Sequence, residues 1–123
     1  MTKQSSKLVL CIGSDPVHLN LRCSRLRKLG FEVLSSDNGH GGLMRFARES
    51  IDCVVLDLDS HGAESALIAG QIKMQRPGVP IIMLFESLEE LSPGATDQAD
   101  AVLLKSEEQS TLGPQLAKLW ERL

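Results

Sequence analysis

Three runs in this chain, "KLVLCI" (7–12), "DCVVLD" (52–57) and "PIIMLF" (80–85), are apolar almost from end to end. A strand with one wet face alternates apolar and polar residues; a strand without that alternation has to be covered on both faces. Two further runs, "FEVLSS" (31–36) and "DAVLLK" (100–105), read as strands of the same set. Longer stretches with helical spacing separate all five. Strands buried on both faces belong in a parallel sheet, and right-handed crossovers then distribute the helices over its two sides. The expected fold is α/β: an open, doubly wound five-stranded parallel sheet built from five β–α units. Ligands of such sheets sit at the C-terminal strand ends, near the point where strand order reverses.

The helical stretches carry their own punctuation. In "SDPVHLNLRCSRLRKLG", Ser14 or Asp15 can cap a helix with Pro16 in its first turn, and Gly30 stops it. Leu19, Cys23, Leu26 and Leu29 share one face, and the basic cluster over 22–30 reads as a solvated face beside them. "GGLMRFARES" turns Leu43, Phe46 and Ala47 inward. "AESALIAGQIKMQ" (63–75) is a third helix. "SLEELSPGATDQA" is helical at best in part, because Pro93 and Gly94 interrupt it. The last stretch places Leu112, Leu116, Leu119 and Leu123 on one stripe, with Gly113 and Pro114 delaying its start. Trp120 sits one step off that stripe, as a rim of the core or as an exposed partner anchor. Met44, Met74 and Met83 read as core filler.

Composition narrows the class. The chain has 123 residues, 42% apolar and 24% charged, which suits one globular domain over 1–123 with its core over about 7–123. A formal charge of −3 gives no general attraction to nucleic acid. Cys11, Cys23 and Cys53 are odd in number and match no zinc spacing, so buried free thiols in a reducing, cytoplasmic setting are expected. No apolar run approaches the roughly 18 residues of a membrane span, and "MTKQSSKLVL" lacks a signal-peptide core. His18, His40 and His61 have no metal spacing. "NGHGG" (38–42) reads as a turn and helix start, since no Gly-Lys-Ser/Thr follows it.

The residues just after the strands converge on one sheet edge. They are Gly13, Ser14 and Asp15 after the first strand, Asp57 and Asp59 after the third, Phe85 and Glu86 after the fourth, and Lys105 after the fifth. Spacing alone admits a purely structural Asp57–Lys105 ion pair closing the edge. No Ser, His and acid converge there, so no enzymatic activity is expected, and a flavodoxin-like ligand binder or hydrolase has little support.

Taken together, "LVLCIGSDP", "LRKLGFEV", "DNGHGGL", "DCVVLDLD", "RPGVPIIML" and "ADAVLLKS" resemble the response-regulator receiver domain of two-component signalling, in order and near its spacing, over roughly 7–123. The resemblance implies the flavodoxin-like receiver fold with strand order 2-1-3-4-5. It also implies an acid pair after the first strand that holds Mg²⁺, an aspartate after the third that accepts a phosphoryl group, a Thr or Ser after the fourth, a lysine after the fifth, and a switching aromatic in the fifth strand. Asp57 matches the acceptor and Lys105 the lysine. The rest departs. The acid pair falls on Gly13 and Ser14, with a carboxylate kept only at Asp15. The Thr or Ser position is Phe85, the next position is Glu86, the switch aromatic is Val102, and Ser106 replaces the proline after the lysine.

Those departures point to a degenerate receiver, acting as a phosphorylation-independent interaction module with no cofactor. Near-neutral charge around Asp57 offers little to a divalent cation, which wants oxygen ligands at about 2.1 Å, and neither Phe85 nor Val102 can act as the switch. The alternative is a working phospho-receiver on Asp57, with Mg²⁺ held weakly by Asp57 with Asp15 or Asp59. By the resemblance, partners are signalling proteins, a histidine kinase or another receiver, met through about 87–123, with a homodimer among the options. No nucleic-acid or membrane partner is expected. No output segment follows Leu123, so the chain as given works through partners or is one domain of a longer protein.

Overall fold

The computed structural model describes residues 7–121. Its elements are β1 (Leu8–Gly13), α1 (Pro16–Lys28), β2 (Glu32–Ser36), α2 (Gly39–Arg48), β3 (Cys53–Asp57), α3 (Ala63–Gln75), β4 (Ile81–Phe85), β5 (Ala101–Leu104), a 3-10 turn (Lys105–Glu107) and α4 (Glu108–Glu121). The strands form one parallel sheet in the order β2-β1-β3-β4-β5, as expected. Helices cover both faces. Val9, Cys11, Cys53, Val55, Ile82 and Leu84 meet Leu19, Cys23 and Leu26 of α1 and Leu112, Leu116 and Leu119 of α4. On the opposite face Leu10, Ile12, Val54, Leu56, Ile81 and Met83 meet Phe46 of α2 and Ile68, Ala69 and Ile72 of α3. Alternate residues of each strand thus serve opposite layers, which is why the strands lack a polar phase.

Several local expectations need correction. Leu29 and Ala47 are exposed, and of Met44, Met74 and Met83 only Met83 is buried. Leu123 lies outside the described residues. Trp120 is a rim residue: its ring packs on Phe31 at 5.5 Å between centroids, and its indole N–H points to the Asp52 carbonyl at 3.4 Å. The last helix starts at Glu108, not beyond Pro114. Pro114 removes one helical hydrogen bond, at roughly 3 kcal/mol in a helix interior. Burying three leucines at roughly 2 kcal/mol each outweighs that. The three thiols are free and buried, as expected.

The largest departure lies between β4 and β5. Residues 86–100 form successive turns where a fourth crossover helix was expected in part. Amides of Ala95, Asp97 and Ala99 donate to the carbonyls of Ser92, Gly94 and Thr96, each three residues back. Pro93 breaks the helical ladder from its start, and Gly94 takes a positive φ of 75°. Ala95 is nonetheless buried, lying over Gly62. Gly62 has φ +83°, and a Cβ there would come within 2.7 Å of the Ala95 methyl, so both backbone and contact require glycine. "NGHGG" is the turn and helix start it resembles: the Asn38 side chain accepts from the Gly41 N–H at 2.7 Å.

Candidate functional site

Parallel strands of similar length end together, so the residues that finish them share one edge. Gly13 of β1 is in register with Asp57 of β3, and the Ser14 N–H donates to the Asp57 carbonyl at 3.3 Å. Phe85 ends β4, and Lys105 follows β5. An open cleft of about 390 Å³ brings together Ser14, Asp15, Asp57, Asp59, Phe85, Glu86 and Lys105. Of the other two positions singled out in the sequence, Gly13 lies beneath the cleft beside Asp57, and Val102 is half-buried in β5 against the core.

Asp57 is 5% exposed and is held on both oxygens. Lys105 Nζ stands 2.7 Å from Oδ1. Oδ2 accepts from Arg22 Nη2 at 3.0 Å. The Arg22 guanidinium also grips Glu108, Nε to Oε2 at 2.5 Å and Nη2 to Oε1 at 3.0 Å. Arg22 is 1% exposed and Glu108 7%. Two cations and two carboxylates are therefore linked in one cluster behind the cleft, and their formal charges cancel. Burial alone would lower the arginine's affinity for its proton, but the hydrogen bonds and charge of Glu108, with the charge of Asp57, raise it above the ordinary value.

Neither Arg22 nor Glu108 was among the candidates read from the sequence. The expectation of a solvated face over 22–30 holds for the exposed Arg27 and Lys28, holds in part for the half-buried Arg25, and fails for Arg22. A signal did exist: Arg22 stands three residues after Leu19 and four before Leu26, on the inward stripe of α1. An arginine on an apolar stripe needs an anion within reach. Glu108 gave a weaker sign, as the first residue of the final helix three positions beyond Lys105.

The acids around the mouth have other occupations. Asp15 caps α1: its Oδ1 accepts from the Val17 N–H at 3.0 Å, and its Oδ2 lies 2.8 Å from His18 Nδ1. The Val17 hydrogen bond and, more weakly, His18 hold this carboxyl below its usual range against a small opposing effect of desolvation. Asp59 caps α3, accepting from the N–H groups of Ala63 at 3.0 Å and Ser65 at 3.3 Å. The Ser14 hydroxyl donates to the Leu58 carbonyl at 3.0 Å. Glu86 is exposed. Phe85 is 1% exposed, in the layer that Val102 borders. Among the described residues no three His, Cys, Asp or Glu side chains come together as a metal-binding group.

No protein-family model matches the chain. Over 76 residues, 62% of its length, it is 32% identical to the transcriptional regulatory protein GlrR of Escherichia coli K12, and it spans about 17% of that relative. In structure it is similar to the response regulator TrrA of Thermotoga maritima in complex with Mg²⁺ and BeF, with a TM-score of 0.83 and 26% identity, covering 92% of this chain and 98% of that one. The same regulator in complex with the histidine kinase ThkA gives a TM-score of 0.80 at 27% identity, covering 92% and 97%.

Proposed function

This chain is a receiver domain of the response-regulator type, and from that premise we propose that it is a degenerate, phosphorylation-independent member that works by docking a signalling protein. The observation that carries this reading is the double engagement of Asp57: both oxygens face resident cations, Lys105 at 2.7 Å and Arg22 at 3.0 Å. The residues at the edge do not fit the Mg²⁺ ion that the family implies. Gly13 has no side-chain donor atom, Ser14 directs its hydroxyl to a carbonyl, and Asp15 and Asp59 are turned to helix N-termini. Mg²⁺ prefers near-octahedral oxygen ligands and loses water reluctantly. The cluster that holds Asp57 is neutral, and of the other acids at the mouth Asp15 and Asp59 are committed to helix N–H groups while Glu86 faces solvent.

The second family requirement is a movable core element. Phe85 has no hydroxyl to draw toward a new anion, and Val102 is stiff about χ1 and too small to gate a cavity. Both features support a domain held in one state.

Docking is assigned to the surface of about 87–123. From Pro77 to Leu104 the sequence holds no Lys or Arg, while Glu86, Glu89, Glu90, Asp97 and Asp100 fall within it. Leu88 is 49% exposed among the first of these acids. A partner that docks there meets negative charge around an apolar point, an arrangement that favours a basic rim about an apolar pocket. TrrA, in its complex with a histidine kinase, gives one precedent for the class of partner. Among the described residues no helix is long and apolar enough to cross a membrane.

Incubation with acetyl phosphate and millimolar Mg²⁺, followed by intact mass and NMR of the Ser14 and Asp57 amides, tests the reading. The expected result is no phosphoryl adduct and no saturable shift with beryllofluoride. An adduct on Asp57 would establish the phospho-receiver instead. Trp120 is unsuited as the reporter, because it borders Asp52 at the opposite end of β3.

A further inference from the structure

We propose that the Arg22 guanidinium is a permanent counter-ion built into the pocket: it stands between Asp57 and the acid-pair position at Gly13, and by joining Asp57 to Glu108 it fastens α1 to the start of α4. This inference rests on the reading of Asp57 as a non-accepting carboxylate, and its test is independent of that reading.

Gly13 shows the geometry. A Cβ built on it would lie 3.4 Å from the Asp57 carbonyl and 3.6 Å from Arg22 Nη1, both ordinary contacts. A side chain can therefore begin at position 13, but beyond its first carbon it meets the guanidinium. The space that a carboxylate would use to hold a cation against Asp57 already has a cation beside it.

The chemistry of the group suits the role. One planar fork spans two carboxylates, Nε and Nη2 on Glu108 and the same Nη2 on Asp57. A lysine ammonium is a point donor on a flexible stem and cannot reproduce that pattern. The two bonds link residues 35 and 86 positions apart, in three separate elements. A buried guanidinium is tolerated only with such partners, and two buried carboxylates equally need it. The cluster is self-consistent when complete and unstable in parts, which makes it a fastening and not a switch. Its position decides which surface is fixed. Glu108 opens α4 and Lys105 opens the 3-10 turn before it, so the last part of the docking segment, from 105 on, is tied to Asp57 on one side and to α1 on the other.

Two variants separate this role from simple packing. Gly13→Asp with Ser14→Asp restores the acid pair while keeping Arg22; adding Arg22→Met removes the resident charge. Mg²⁺ alone is titrated against each, read by amide shifts and by the rise in melting temperature that metal binding produces. The triple variant is expected to bind Mg²⁺ at least about tenfold more tightly than the double, because a cation no longer opposes it at close range. Equal affinities would overturn the counter-ion role. If the triple variant stays unfolded even with Mg²⁺, Arg22→Gln, neutral but still a hydrogen-bond donor, replaces Arg22→Met and the same inequality is expected. Fastening is read separately in Glu108→Gln by hydrogen exchange at 105–111. Faster exchange there, with the Asp57–Lys105 pair intact, supports it; unchanged exchange overturns it. Acetyl phosphate treatment of the natural sequence judges Asp57 alone, whichever way these titrations fall.

Discussion

Strand β3 is flanked by two aspartates, and they do opposite things. Asp52, just before it, accepts from the Leu8 N–H at 2.8 Å and so completes the backbone pairing of β1. Asp57, at its end, accepts from side chains only, Lys105 and Arg22. Asp100, just before β5, repeats the first pattern: it accepts from the Ile81 N–H at 2.8 Å and pairs with Lys73 at 2.8 Å. Acids at the N-terminal end of this sheet thus satisfy strand N–H groups. The Asp57 carboxylate has none to satisfy, and draws charge from two other elements instead, α1 and the 3-10 turn. A carboxylate next to a strand is structural in the narrow sense when the backbone uses it. The Asp57 carboxylate is used by charged side chains instead.

Substitutions can break that contrast, and the largest effect is expected from the guanidinium. Arg22→Met leaves Asp57 and Glu108 buried with one lysine between them, and should cost about 3 kcal/mol or more in denaturant unfolding. Adding Glu108→Leu should recover much of the loss, because an apolar pair replaces an ionic one; no recovery would mean that Arg22 acts through packing alone. Next in size comes the direct comparison along β3. Asp57→Asn weakens two charged contacts and should cost about 1–3 kcal/mol, whereas Asp52→Asn keeps an acceptor for the Leu8 N–H and should cost less than about 1 kcal/mol. The reverse order would remove the distinction between the two ends.

The smallest effect sharpens the picture at the mouth. The Asp15 carboxyl is held below its ordinary value by the Val17 N–H first and by His18 in lesser part. A depressed folded-state value means stability that is complete above the unfolded-state value and lost as pH falls through the folded one. Asp15→Ala should therefore lower the urea midpoint at neutral pH, and the gap to the natural sequence should close as pH falls below the ordinary aspartate range. A gap independent of pH would mean that Asp15 does not cap α1 as a carboxylate.

The layered sheet was legible because apolar strands with no polar phase leave one arrangement, and the residues after them have one edge to occupy. Asp57, Lys105 and Phe85 could be placed from this alone. Arg22 could not, because a basic cluster on a helix usually belongs to water and the anions that bury this one lie 35 and 86 positions further along the chain. Asp59 was misleading for a related reason: two residues beyond Asp57 it would share its side in a continuing strand, but β3 stops at Asp57 and the carboxylate turns to α3. Pro93 and Gly94 signalled a broken helix; that Ala95 would still be buried depended on Gly62, remote in sequence and close in space.

The contact between Gly62 and Ala95 has one more outcome. The Ser92 N–H donates to the His61 carbonyl at 2.8 Å, and His61 Nδ1 lies 3.1 Å from the Glu90 carbonyl. The segment over 86–100 is therefore a strap pinned by its neighbour and not a rod stiffened from within. Its tip, Ser87 to Glu89, lies outside the pins, so residues there can be exchanged or inserted with little disturbance to the sheet beneath. Recognition can drift at that tip while the frame that carries it stays the same.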